Sequence, residues 1–151
     1  MSLTLNQITK QITTLGNDHE QINFVYFGDV WERLSNGEVT YPAMFFTLTG
    51  ANVLSKEIGY QFSLYFMDRM LSEETNETEV LSDMTQVAGD IVAQLRYPTD
   101  YGKVTWTVNQ NLPLTFYTES DPDYLAGVKL DITLTVPFIN NRCEVPSNYT
   151  Y

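Results

Sequence analysis

Residues 125–138 read LAGVKLDITLTVPF. From Val128, every second residue is apolar: Val128, Leu130, Ile132, Leu134, Val136 and Phe138. Between them stand Lys129, Asp131, Thr133, Thr135 and Pro137. A period of two places the first set on one face of a strand and the second set on the other. A second stretch has the same period. In EIGYQFSLYFM (57–67), Ile58, Tyr60, Phe62, Leu64 and Phe66 share a face, while Gly59, Gln61, Ser63, Tyr65 and Met67 share the other. That other face is not wholly polar, which predicts partial cover. Between the two stretches the period changes. Val80, Leu81, Met84, Val87, Ala88, Ile91, Val92 and Leu95 recur at steps of three and four, predicting a helix over 77–96. Two half-apolar strands and one amphipathic helix are a sheet and its cover.

The remaining segments fit this frame. Leu5, Ile8, Ile12 and Leu15 predict an N-terminal helix that Gly16 stops. INFVYFG (22–28) predicts a strand, and Asp29 caps a short helical turn through Val30, Trp31 and Leu34. TYPAMFFTLT (40–49) predicts a strand whose Pro42 suits a beginning or an edge. Asn76 and Glu79 can cap the long helix, and Glu77, Glu79 and Asp83 complement its dipole, with Arg96 at the far end. Val104, Trp106 and Val108 alternate with threonines, and LPLTFYTE (112–119) follows as another strand. Runs of strands that do not alternate with helices predict an α+β fold: one mainly antiparallel sheet packed by the long helix, plus the N-terminal helix. Residues 1–138 read as a single domain and 139–151 as a polar C-terminal arm.

Composition narrows the function classes. Nineteen acidic residues stand against eight basic ones, a net charge of −11. Such a chain repels phosphate, which argues against non-specific nucleic-acid or membrane binding. The N-terminus has no apolar leader pattern and no run approaches spanning length, so the expectation is a soluble protein made in a reducing cytoplasm. The N-x-T patterns at Asn76 and Asn148 then read as coincidental. A single cysteine, Cys143, forms no internal disulfide and no cysteine-based zinc site. The single histidine, His19, reads as an exposed connector residue among Asn17, Asp18 and Glu20. Residues 121–132, DPDYLAGVKLDI, open like a calcium loop at Asp121 and Asp123. Gly127 falls one position late, and Ile132 stands where the bidentate glutamate belongs. Glu73 and Glu74 lie among further acids and read as solvated charge. Asp90 points away from the apolar stripe. The eight glycines are scattered singly, so no phosphate-cradling loop is present, and Gly89 inside the long helix predicts a close packing partner. No catalytic set, cofactor or metal site is expected.

Ten tyrosines are the unusual resource. Part of them belongs to half-buried sheet positions, and part to protein contact, where Tyr and Trp concentrate. Tyr65, Met67, Arg142, Tyr149 and Tyr151 are the interface candidates.

The order of these pieces resembles the tail-terminator and head–tail neck ring proteins of tailed bacteriophages, in the form found in phages of gut Bacteroidetes, crAss-like phages among them. The carrying stretches are TYPAMFFTL (40–48), YQFSLYFMDRM (60–70), EVLSDMTQVAGDIVAQLR (79–96) and LPLTFYTESDPDYLAGVKLDITLTVPF (112–138). Up to about residue 38 the match is in outline only. The motifs are packing and turn signals, none of them catalytic. The resemblance implies a non-enzymatic virion protein in the tail or neck, assembled in the host cytoplasm. Such proteins form closed homo-oligomeric rings, commonly of six or twelve copies, against portal, connector or tail-tube rings. DNA passes through the lumen without being read. Ring closure needs two different sticky faces on each subunit. Glu73, Glu74, Glu77, Glu79, Asp121 and Asp123 are then candidates to line the lumen. The residues leave two other readings open: a small α+β enzyme using Asp68, Asp121 and Asp123 with a metal, and an acidic adaptor for a host protein.

Overall fold

The computed structural model describes residues 3–70, 76–96, 106–119, 124–138 and 146. Along the chain they form α1 (Leu5–Asp18), β1 (Phe24–Phe27), α2 (Val30–Ser35), β2 (Ala43–Val53), β3 (Glu57–Arg69), α3 (Glu77–Arg96), β4 (Thr107–Val108), β5 (Leu114–Glu119) and β6 (Leu125–Pro137). The fold is α+β, with the predicted elements in the predicted order and α3 at its predicted ends. The expected arm, 139–151, lies outside the described residues apart from Pro146.

The quoted strand is the axis of the sheet. β6 pairs antiparallel with β3 without a break, from Glu57↔Pro137 to Arg69↔Leu125. β3 pairs antiparallel with β2 on its other side. On the far side of β6, β5 pairs with Leu125–Leu130 and β4 with Leu134–Thr135. In the gap between them, the backbone N–H of Thr133 donates to Asn109 Oδ1 at 2.9 Å, so an amide side chain takes the place of a missing ladder bond. The sheet order is β1-β2-β3-β6-β4, with β5 beside β4 along the β6 edge.

One pairing departs from the sequence reading. β1 runs parallel to β2, from Phe24↔Ala43 to Phe27↔Phe46. Parallel neighbours need a crossover, and α2 supplies it. The short helix between the first two strands was thus a sign of a β-α-β unit. Asp29 caps α2 as expected, accepting from the Glu32 N–H at 3.0 Å.

α1 and α3 cover one face of the sheet. Their Ile8, Ile12, Val80, Met84, Val87, Ala88, Ile91 and Leu95 pack on Met44 and Phe46 of β2, Phe62, Leu64 and Phe66 of β3, and the even-numbered residues of β6. The apolar faces of β3 and β6 do point at α3, as their period required. Each end of α3 is tied to a neighbouring segment. Thr118 Oγ1 donates to Glu77 Oε1 at 3.0 Å, and the buried indole of Trp106 donates to the Leu95 carbonyl at 2.7 Å. That carbonyl is one of the last-turn acceptors a helix leaves open. α1 starts with a capping box of Thr4 and Gln7.

Two glycine expectations fail. Gly16 does not stop α1, which continues to Asp18. Gly16 is buried there, and a Cβ on it would stand 2.8 Å from Val25 Cγ2 and 2.9 Å from Met44 Sδ, so it serves the close approach of helix to sheet. Gly89 has no such role, because a Cβ there would meet nothing within 4 Å. Nothing in the structure explains a glycine at that exposed helical position. Gly89→Ala is therefore expected to stabilise the protein by about 1 kcal/mol, read as a higher denaturant midpoint at unchanged slope.

The second face of the sheet carries its own smaller core. Val30 and Leu34 of α2 close over Ala43, Phe45, Met67 and Leu125. This corrects the reading of Met67. It is 0% exposed, sealed under the crossover helix, and has no surface to offer a partner.

Candidate functional site

Polar side chains converge at two positions, around His19 and around Asp68. His19 follows the last residue of α1 and reaches Asp90 on α3, Nε2 to Oδ2 at 2.9 Å. Its other ring nitrogen, Nδ1, accepts the backbone N–H of Gln21 at 3.1 Å. The ring therefore carries its hydrogen on Nε2 and donates to Asp90. This arrangement corrects the expectation of an exposed connector histidine, since its side chain is only 14% exposed. Both ring nitrogens are thus held by the protein itself. The pair works as a clasp between α1 and α3.

Asp68, near the end of β3, shares a shallow groove with Asp83 and Glu20. Burial pushes its carboxyl above the ordinary range. The backbone N–H of Arg69, 2.8 Å from Oδ1, and the Arg69 charge pull it back, and Asp83 adds to the rise. Among the described residues no three His, Cys, Asp or Glu side chains converge as ligands of one metal would. The shift has a measurable consequence. A folded-state pKa above the unfolded 3.8 means that the native protein holds this proton more tightly. Stability contributed by the protonated form is present below pH 3.8 and is lost as pH rises through the raised native value. Asp68→Asn is thus expected to raise the thermal midpoint at pH 7 and to lose that advantage below pH 3.8. Melts of both proteins across this range check it, and an asparagine variant that is less stable at pH 7 contradicts it.

The concentrated surface chemistry lies elsewhere, on the second face and at the sheet margins. Trp31 stands on the outer side of α2, 47% exposed, while its helix neighbours Val30 and Leu34 turn inward. Its ring meets Tyr65 at 6.2 Å and Tyr117 at 6.3 Å, and those two tyrosines meet at 6.1 Å, all three pairs edge to face. Lys129 Nζ sits 5.8 Å from the centre of the Tyr65 ring. Arg33 lies over Phe24 and Tyr26 at 5.1 and 5.8 Å. Tyr117 lies over Gly127, and its hydroxyl is buried with no hydrogen-bond partner among the described residues. Burial pushes its phenol far above the ordinary value, with Tyr65 and Tyr41 adding to the rise, so it stays neutral.

Phe27 of β1 and Phe116 of β5 are also exposed, by 43% and 55%, and Val53 and Leu54 are exposed at the turn from β2 to β3. Large apolar side chains thus stand at both lateral margins of the sheet and at one hairpin tip. Of the sequence candidates, Tyr65 belongs to this aromatic surface. Glu77 and Glu79 lie in the first turn of α3, where Glu77 accepts from Thr118 and Glu79 is exposed. Glu73, Glu74, Asp121, Asp123, Arg142, Cys143, Tyr149 and Tyr151 lie outside the described residues. Trp31, Phe27, Phe116 and Tyr117 escaped the sequence reading. For Trp31 a signal existed: Val30 and Leu34, four apart, already define the inward side of a single helical turn.

No family model and no curated protein matches the chain. Among the described residues, no helix is long and apolar enough to cross a membrane.

Proposed function

We propose that this chain is a structural virion subunit that closes into a homo-oligomeric ring in the neck or at the tail end of a tailed phage. There it joins a portal or connector ring to the tail while DNA passes through. The observation that carries the reading is the placing of exposed apolar side chains at separate, non-equivalent margins of one sheet: Phe27 at one edge and Phe116 at the other. A head-to-tail ring needs two such unlike surfaces on each subunit, whereas a two-fold dimer needs only one. Exposed aromatics on a chain of charge −11 fit contact with protein more readily than contact with nucleic acid. The same charge suits a lumen that DNA must traverse without adhering. The resemblance of the strand–helix–strand order to tail-terminator and neck proteins supports the same conclusion.

The test is mass photometry and negative-stain microscopy of the purified chain over rising concentration. Closed rings of one size are expected. A monomer at every concentration overturns the proposal, and salt-sensitive capture by a basic host protein, with no ring, replaces it with the adaptor reading.

A further inference from the structure

Resting on the ring reading, we infer that successive subunits join by continuing one β-sheet: β5 of one copy pairs antiparallel with β1 of the next, and Phe116 packs beside Phe27 on the helix-covered face.

Three observations carry this. The first concerns the edges. β1 has one strand neighbour, β2, and β5 has one, β6, among the described residues. Proteins that must stay monomeric guard such edges with charge, proline or a bulge. β1 is Phe24-Val25-Tyr26-Phe27, with none of these, and β5 carries a single charge, Glu119, at its last position. On a chain with 19 acidic residues, two copies repel wherever acids face each other. These two edges carry little of that charge.

The second concerns direction. β1 runs with β2, and β2, β3, β6 and β5 then alternate. β1, β2 and β6 therefore point one way, and β3 and β5 the other. A neighbour related by rotation about a ring axis keeps its strands in the same sense. Its β1 then meets β5 antiparallel, continuing the dominant pattern of the sheet.

The third concerns faces. Phe27 is opposite Phe46, Phe46 opposite Leu64, Leu64 opposite Leu130, and Leu130 opposite Leu114. Partners across a sheet share a face, and so do residues two apart along a strand, which puts Phe116 on the face of Leu114. Phe46, Leu64 and Leu130 all belong to the core under α3. Phe27 ends the row Phe46–Leu64–Leu130–Leu114, and Phe116 ends the adjacent row Val128–Phe66–Met44–Val25, so the two are exposed at opposite margins of one face. Joining two sheets edge to edge brings both side chains onto one continuous apolar face.

The experiment uses the full chain with Cys143→Ser and both Phe27→Cys and Phe116→Cys, assembled and then treated with a short bis-maleimide. Both positions are exposed, so the buried core is kept, and circular dichroism with a thermal melt confirms folding. The expected result is a ladder of covalent oligomers on a denaturing gel with loss of the monomer band. Each single-cysteine variant should give no ladder, because a head-to-tail joint never brings two identical edges together. Rings seen by mass photometry without a ladder overturn the joint while leaving the ring reading intact. Dimers from Phe27→Cys alone overturn it in favour of two-fold edge pairing. Particles that remain monomeric by mass photometry, in the parent chain as well, overturn both.

Discussion

Gly127→Ala is expected to destabilise the protein by about 3 kcal/mol, a large share of the roughly 5–15 kcal/mol available to a domain of this kind. Gly127 sits in β6 opposite Met67 on one side and Tyr117 on the other. A Cβ there would collide with the carbonyl oxygen of Phe66 and would stand 2.8 Å from the Tyr117 hydroxyl and 2.9 Å from its Cζ. The tyrosine ring could swing away. The Phe66 carbonyl cannot, because the ladder on both sides, Phe66↔Val128 and Asp68↔Ala126, holds the backbone of β3 in the middle of the sheet. Shortening Tyr117 should consequently restore only part of the loss. Gly50→Ala is the control: its Cβ would approach only the flexible end of Gln61, Oε1 at 3.1 Å, and should change stability by about 0.5 kcal/mol at most. Guanidinium unfolding of the three proteins decides. A Gly127→Ala midpoint equal to that of Gly50→Ala would refute the steric argument.

Phe62→Ala is expected to remove about 4 kcal/mol. Phe62 is 1% exposed at the middle of β3, opposite Leu48 and Ile132, with its ring centre 6.2 Å from that of Phe46. It fills the space between the sheet and the covering helices, and its loss removes buried area and leaves a cavity that a hydrogen-bonded sheet cannot collapse to fill. Phe62→Leu keeps most of the volume and should lose about 1.5 kcal/mol. Both should shift the denaturant midpoint without changing the slope, since the surface exposed on unfolding barely changes. A loss for Phe62→Ala no larger than that for Phe62→Leu would place Phe62 outside the core.

How far each feature was readable in the sequence follows from its physical origin. α3 was legible to its ends because a 3.6-residue period, sustained over Val80–Leu95, has no other solution, and because Pro98 and Arg96 mark its close. β3 and β6 were legible because strict alternation excludes a helix. The parallel β1–β2 pair was not, since direction depends on where a crossover lies in space. Met67 was misplaced for a related reason. Alternation told that Tyr65 and Met67 share a face, but the helix that seals Met67 and leaves Tyr65 half-open comes from residues 30–35, far off in sequence. His19 looked exposed because its neighbours are polar, while its partner Asp90 stands 71 residues away.

Local pattern was enough to settle the class of each element, the apolar faces of β3 and β6 that meet α3, and an acidic charge that repels phosphate. These follow from local backbone geometry and from counting. Packing in three dimensions settled which second face is sealed, which strands end the sheet, and that Phe27 and Phe116 stand at its opposite margins on one face. Those properties are relations between segments brought together by packing, and no periodicity within a segment records what will lie beside it.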